Sequence, residues 1–151
     1  MGKDSVLGTD LVAQIGIIVK DIEETSKTFA DFLGVDVPSV DWTDAFDKAQ
    51  THYQRNPVPS RARLAFFEMG NIQIELIEPD ENPSTWRDFL ENHGEGVHHI
   101  AFVVNGMKQV VARMENQHMP LVQKGEYEGG RYAYMDTEKP LKVILELLEN
   151  D

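Results

Sequence analysis

The chain has 151 residues, of which 41% are hydrophobic and 26% charged, with a formal net charge of −12 and no cysteine. This length suits one domain with a substantial core, and the acidic excess argues against nucleic acid, which selects clustered Lys and Arg. The absence of cysteine excludes disulfides and thiolate chemistry, so any metal must bind to oxygen and imidazole nitrogen.

The amino-terminal segment lacks the apolar core of a signal peptide, and no apolar run approaches the ~20 residues of a membrane span. We therefore expect a cytoplasmic protein with no membrane partner.

The first predicted unit is a strand followed by a helix. Residues 14–19 are a mainly apolar run rich in β-branched side chains, which is typical of a buried strand. Asp21 is a suitable N-cap with Glu24 three residues later, and Gly34 stands where a C-terminal stop is expected. The pattern therefore predicts a helix between Asp21 and Gly34.

Residues 36–60 contain three prolines and scattered aromatic side chains without a regular period. We expect a loop with one short helix, which either forms a pocket wall or covers an edge of the core. Two strands, residues 63–68 and 72–78, then form a hairpin around the turn at Gly70 and Asn71.

The second half repeats this order of elements. A helix over residues 82–93 precedes the strand of residues 96–104, and a further helix begins at Met107 with apolar residues at helical spacing. A short extended piece and two more strands complete the chain. We place them at residues 121–123, 132–135 and 141–148.

Two copies of one unit account for this repetition. A shift of 85 residues superposes Gln14 on His99 together with the strands and helices that follow them, and a shift of 71 superposes Glu75 on Glu146. Each copy reads βαβββ, with module one at about residues 12–79 and module two at about 96–149. The sequence therefore predicts a single α+β domain over residues 1–151. In it, duplicated βαβββ modules form an incomplete barrel around a cleft.

The equivalent polar residues suggest a metal site. Successive side chains of a strand alternate between its faces, so Glu75 and Glu146 face the cleft if their apolar neighbours face the helices. Two carboxylates in an apolar cleft are costly unless they bind a cation. Only one residue of the pair His98 and His99 is expected to face the cleft. We assign the ligand role to His99 and a structural hydrogen bond or loop cap to His98, while Gln14 is either a ligand or a core amide.

At these residues the sequence resembles the vicinal oxygen chelate superfamily, which includes the glyoxalase and bleomycin-resistance proteins, and it is most similar to the methylmalonyl-CoA epimerases. The likeness spans nearly the whole chain. It is carried by residues 75–79, 94–101, 129–131 and 145–147. The resemblance implies one divalent ion (Co, Mn, Ni, Mg or Zn). Its implied ligands are Gln14, Glu75, His99 and Glu146. A histidine is normal in these epimerases where this chain has Gln14.

The resemblance also implies an epimerase or racemase that passes through an enolate. In this interpretation Glu146 is both a ligand and a proton carrier, the second proton-transfer group is unassigned, and Arg63 or Arg131 holds an anionic group of the substrate. The implied partners are a small molecule such as a CoA thioester and a second copy of the chain in a homodimer. Two alternatives stay open, a glyoxalase-type lyase and a non-catalytic small-molecule binding or drug-sequestration protein.

Overall fold

Ten strands and five helices make up the part of the chain that the computed structural model describes, residues 4–151. The first three residues of the predicted domain lie outside it. In chain order the elements are β1 (Val12–Ile18), α1 (Ile22–Leu33), β2 (Asp41–Trp42), α2 (Phe46–Ala49), β3 (His52–Tyr53), β4 (Asn56–Pro57), β5 (Ala62–Glu68), β6 (Gln73–Pro79), α3 (Thr85–His93), β7 (Gly96–Val103), α4 (Met107–Asn116), β8 (Leu121–Tyr127), β9 (Gly130–Met135), α5 (Glu138–Leu141) and β10 (Ile144–Asn150).

The strands form one curled sheet in the order β2-β5-β6-β1-β7-β10-β9-β8-β3-β4. This order is symmetric about the antiparallel pair of β1 and β7, because β1 pairs in parallel with β6 and β7 pairs in parallel with β10. The predicted α+β fold, in which duplicated βαβββ modules form an incomplete barrel, is therefore confirmed. Within the described residues, no helix combines the length and the apolarity needed to cross a bilayer.

The first helix begins and ends where the sequence predicts. The Asp21 side chain accepts a hydrogen bond from the Glu24 backbone N–H at 3.1 Å, and Gly34 ends the helix with a left-handed φ of 72°. Its buried face, which includes Ile22 and Ala30, packs in one core cluster with side chains of β5 and β6. The helix thus covers the outer face of the sheet and leaves the inner face free.

The segment of residues 36–60 holds more structure than the sequence predicts. The expected short helix is α2, but β2 pairs with β5, and the β3–β4 hairpin crosses to pair with β8 of the second module. By its place in the sheet, β2 is the first-module counterpart of β8. Strands of two residues have no detectable period, so these pairings depend on distant partners that the local sequence does not reveal.

The two central strands carry the same irregularity. In β7 the ladder with β1 continues on either side of His98, which has no partner, and β1 has an equally unpaired residue at Ala13, 85 positions earlier. These are β-bulges, which break the strict alternation of side chains between the faces of a sheet. Each bulge lies directly before a predicted metal ligand, Gln14 in β1 and His99 in β7.

Candidate metal centre

The structure brings the four predicted ligand residues together at the inner face of the sheet. Gln14, Glu75, His99 and Glu146 are each at most 7% exposed. The His99 Nε2 atom lies 2.9 Å from Gln14 Oε1, 3.1 Å from Glu146 Oε1 and 3.5 Å from Glu75 Oε1. The Gln14 oxygen in turn lies 3.0 Å from the Glu146 oxygen and 3.3 Å from the Glu75 oxygen. Four atoms that could act as metal ligands therefore converge on one point from both modules.

These separations fit the coordination shell of a divalent ion. With metal–ligand bonds of about 2.1 Å, neighbouring ligands of an octahedral ion lie about 3.0 Å apart. Oxygen atoms this close to one another repel unless a positive charge or a proton lies between them. The donor set of three oxygens and one imidazole nitrogen suits Mn, Mg, Co, Ni or Zn, with the oxygens favouring the harder ions.

The burial of the centre changes the pKa values of its members. Burial, together with the nearby Glu146 carboxylate, raises the pKa of Glu75 well above its usual range. Burial also raises the pKa of Glu146 to about 8, an effect that a hydrogen bond with Tyr134 partly opposes. The pKa of His99 falls to about 3 because burial disfavours its charged form. The imidazole is therefore neutral, as a ligand must be, and an ion that binds here displaces protons from the two carboxyl groups.

His98 contacts the ring nitrogen of His99 that faces away from the centre. Its Nδ1 lies 2.8 Å from His99 Nδ1, and its Nε2 lies 3.2 Å from Thr85 Oγ1. If His99 binds an ion through Nε2, it holds its proton on Nδ1 and donates to His98, which then donates from Nε2 to Thr85. Of the two roles predicted for His98, a loop cap or a structural hydrogen bond, the structure shows the hydrogen bond. The sequence does not predict its partner His99, because the bulge keeps both adjacent rings buried.

Gly16 provides the space for the His99 ring. A β-carbon at Gly16 would lie 2.0 Å from His99 Cε1, far inside van der Waals contact. Gly16 is not among the predicted site residues, although a glycine inside an apolar strand indicates that another group approaches the backbone closely.

A cavity of about 550 Å³ opens beside the centre. The segment of residues 36–60 contributes Trp42 and Ala49 to its wall, and thus forms part of a pocket, one of the two roles that the sequence left open. Among the described residues that line the cavity, none is Lys or Arg. Three carboxylates besides those of the centre line it, namely Asp41, Asp44 and Glu126.

Arg63 and Arg131 are not brought to this cavity. Arg63 Nη2 lies 2.8 Å from Glu78 Oε2, and Arg131 Nη1 lies 2.9 Å from Glu149 Oε1. In β5 and β9 each arginine precedes a residue that lines the cavity, so alternation directs the arginine to the opposite face. The geometry does not support the substrate-binding role that the sequence analysis gave to them.

The two arginines instead belong to a repeated helix-capping arrangement. Glu78, the partner of Arg63, accepts a hydrogen bond at 3.2 Å from the backbone N–H of Ile22, the first residue of α1. Glu149 does the same at 2.9 Å for Met107, the first residue of α4. A carboxylate at a helix start satisfies a free N–H group and interacts favourably with the helix dipole.

Comparison with known proteins agrees with this geometry. The model of the glyoxalase/bleomycin resistance protein/dioxygenase superfamily matches residues 13–134. The uncharacterized protein YqjC of Bacillus subtilis is 29% identical over 138 residues, which cover 89% of each protein. The mitochondrial methylmalonyl-CoA epimerase of Mus musculus is 25% identical over 105 residues, which cover 68% of this chain and 51% of the mouse protein.

Solved structures share the same fold. Methylmalonyl-CoA epimerase from Mycobacterium tuberculosis superposes with a TM-score of 0.65 at 23% identity, covering 100% of this chain and 93% of that one. A methylmalonyl-CoA epimerase in complex with methylmalonyl-CoA and NH4+ gives a TM-score of 0.62 at 20% identity, covering 93% of this chain and 94% of that one.

Proposed function

Because the chain belongs to the glyoxalase/bleomycin resistance protein/dioxygenase superfamily, we propose that it is a metal-dependent epimerase or isomerase that moves a proton on a carbon beside a carbonyl group. The observation that carries this proposal is the buried centre of Gln14, Glu75, His99 and Glu146 beside a cavity large enough for an acyl group. The epimerase names among its relatives support a CoA thioester as the substrate class.

Each residue of the centre has a distinct part in this proposal. A divalent ion held there would supply Lewis-acid stabilisation of the negative charge that develops on the substrate's carbonyl oxygen. Glu146, from which a bound ion would displace the proton, takes up the α-proton on a carboxylate oxygen. His99 and Gln14 supply neutral ligand atoms.

Epimerisation needs a second group that returns a proton to the other face of the carbon. Asp41, Asp44 and Glu126 are the cavity carboxylates outside the centre, and we propose that the second group is one of them. Two of them lie in the irregular segment of residues 36–60, where the sequence provides no register.

The acidic lining of the cavity favours a second candidate function. With three further carboxylates, no Lys or Arg in its described lining, and the exposed aromatic ring of Phe66, the cavity suits a neutral or cationic molecule. A non-catalytic protein that binds such a molecule would use the same cavity without proton transfer.

Proton exchange distinguishes the two functions. The metal-loaded protein is incubated in deuterated water with methylmalonyl-CoA and, in parallel, with 2-methylacetoacetyl-CoA, whose acyl end is uncharged. We expect deuterium at the α-carbon of at least one substrate, seen by mass spectrometry, at a rate above that of a protein-free control and lost with a chelator. No exchange of either substrate by the metal-loaded protein would refute the epimerase proposal.

The homodimer and the cytoplasmic location stay predictions from the sequence.

A further inference from the structure

Three polar side chains form a row across three neighbouring strands. Glu68 of β5 pairs with Gln73 of β6, and Gln73 pairs with Gln14 of β1. Gln14 Nε2 donates to Gln73 Oε1 at 2.6 Å, and Gln73 Nε2 donates to Glu68 Oε1 at 2.6 Å. The row connects an exposed carboxylate with the buried metal centre.

The outer end of the row fixes its direction. An ionised carboxylate can only accept hydrogen bonds, so Gln73 turns its amide nitrogen to Glu68 and its oxygen to Gln14. Gln14 must then turn its nitrogen to Gln73, which leaves its oxygen facing His99 and the two carboxylates of the centre.

The opposite orientation of the Gln14 amide does not remove the conflict between acceptors. Its nitrogen would donate to Glu146 Oε1 at 3.0 Å and to Glu75 Oε1 at 3.3 Å. Its oxygen would then lie 2.6 Å from the Gln73 oxygen, unless Gln73 also turned over and presented that oxygen to Glu68. Turning the Gln14 amide over therefore only moves the oxygen–oxygen repulsion to another place in the row. A cation beside the Gln14 oxygen removes this repulsion and leaves every hydrogen bond of the row intact.

The row occurs only in the module whose ligand is an amide. In the second module the position of Gln73 is held by Ile144, and the ligand His99 is supported by His98 instead. An imidazole needs only the correct tautomer to bind a metal. An amide can present either its oxygen, which binds a cation, or its nitrogen, which does not.

We infer that Glu68 and Gln73 are positioning residues that hold Gln14 with its oxygen towards the metal, and so let a glutamine serve as a ligand for a hard cation such as Mn²⁺. This inference rests on the metal site of the proposed function. It extends the role of the site to two residues that do not contact the ion.

Reversal of the row tests the inference. Glu68→Lys replaces the acceptor by an ammonium group that only donates, so Gln73 and Gln14 turn over and the Gln14 nitrogen faces the centre. We expect affinity for Mn²⁺, measured by calorimetric titration, to fall at least about tenfold, the effect of one lost charge-assisted hydrogen bond. Glu68→Gln should lose less affinity for Mn²⁺, because its amide can present either its oxygen or its nitrogen to Gln73.

Gln73→Leu is the matched control, because it breaks the row while the added charge still acts through space. The factor by which Glu68→Lys lowers the affinity for Mn²⁺ should be several-fold smaller in the Gln73→Leu background than in the wild type. An equal loss in both backgrounds, or a Glu68→Lys variant that binds Mn²⁺ as tightly as the wild type, would overturn the inference and leave the metal site intact. A wild-type protein that binds none of Mn, Mg, Co, Ni or Zn would remove both the inference and the proposed function.

Discussion

Glu146 has two roles in the proposed function, as a metal ligand and as the proton carrier. Glu146→Gln keeps the shape of the side chain but removes its charge and its basicity, so we expect the rate of α-proton exchange to fall at least about 10²-fold. The rate is measured by deuterium incorporation at a saturating concentration of metal. Glu149→Gln is the control, because Glu149 lies on the same strand, β10, but caps the start of α4 instead of facing the centre. This variant should keep the wild-type exchange rate. Equal rates for Glu146→Gln and the wild type would exclude Glu146 as the proton carrier.

Gly16 tests whether the position of His99 matters. Gly16→Ala places a β-carbon about 2 Å from His99 Cε1, so the ring must leave its place. We expect affinity for Mn²⁺ to fall at least about tenfold, as when the group that orients a metal ligand is lost. Circular dichroism checks that the variant is folded. A folded variant with wild-type affinity would show that His99 is not a ligand.

At the scale of single residues the sequence predicts the centre better than its surroundings. Gln14 and His99, like Glu75 and Glu146, are equivalent in the internal repeat, so the repeat alone is enough to pair them. The partner of His98 could not be predicted, because the rule of alternation fails at the bulge.

The helix starts give a prediction at the scale of elements. Arg131 pairs with the Glu149 carboxylate that caps α4, on the sheet face opposite the cavity. Arg131→Met should therefore lower the melting temperature, because the capping carboxylate loses its partner, while KM and kcat of the exchange reaction stay unchanged. Arg63→Met should behave in the same way through Glu78. A rise in KM without a change in melting temperature would restore these arginines to substrate binding.

The elements that the sequence predicts correctly are those long enough to show a periodic pattern of apolar residues. The four central strands and the helices α1 and α4 are each seven or more residues long, so their apolar residues can show a pattern, and capping signals mark the ends of α1. The short strands β2, β3 and β4 escape prediction because two residues carry no period. Their conformation is set by pairing with β5 and β8, which lie far away in the sequence.

For the whole molecule, the buried carboxylates link folding to pH. Burial raises the pKa of Glu146 from about 4.5 in the unfolded chain to about 8. Below about pH 6.5 the proton that Glu146 keeps in the folded protein is offset by the buried His98 and His99, which are neutral in the folded protein and charged in the unfolded chain. Between about pH 6.5 and pH 8 the folded metal-free protein holds more protons than the unfolded chain, so its stability should fall as pH rises. An ion takes the place of those protons, and the stabilisation that it provides should therefore grow with pH.

Thermal unfolding between pH 5 and pH 8, with a chelator or with Mn²⁺, measures this linkage. We expect the increase in melting temperature caused by Mn²⁺ to be small at pH 5 and largest at pH 8. The Glu146→Gln variant, which has lost the titrating group, should show a weaker dependence on pH. An increase that is the same at both pH values in the wild type would contradict the proton displacement that we describe.

The central claim is that Gln14, Glu75, His99 and Glu146 bind one divalent ion. Elemental analysis of protein purified without chelators, together with titration of stripped protein with each of Mn, Mg, Co, Ni and Zn, tests it most directly. We predict about one ion per chain, lost in a variant in which both glutamates are changed to glutamine. A folded wild-type protein that contains no divalent ion and binds none on titration would contradict the claim.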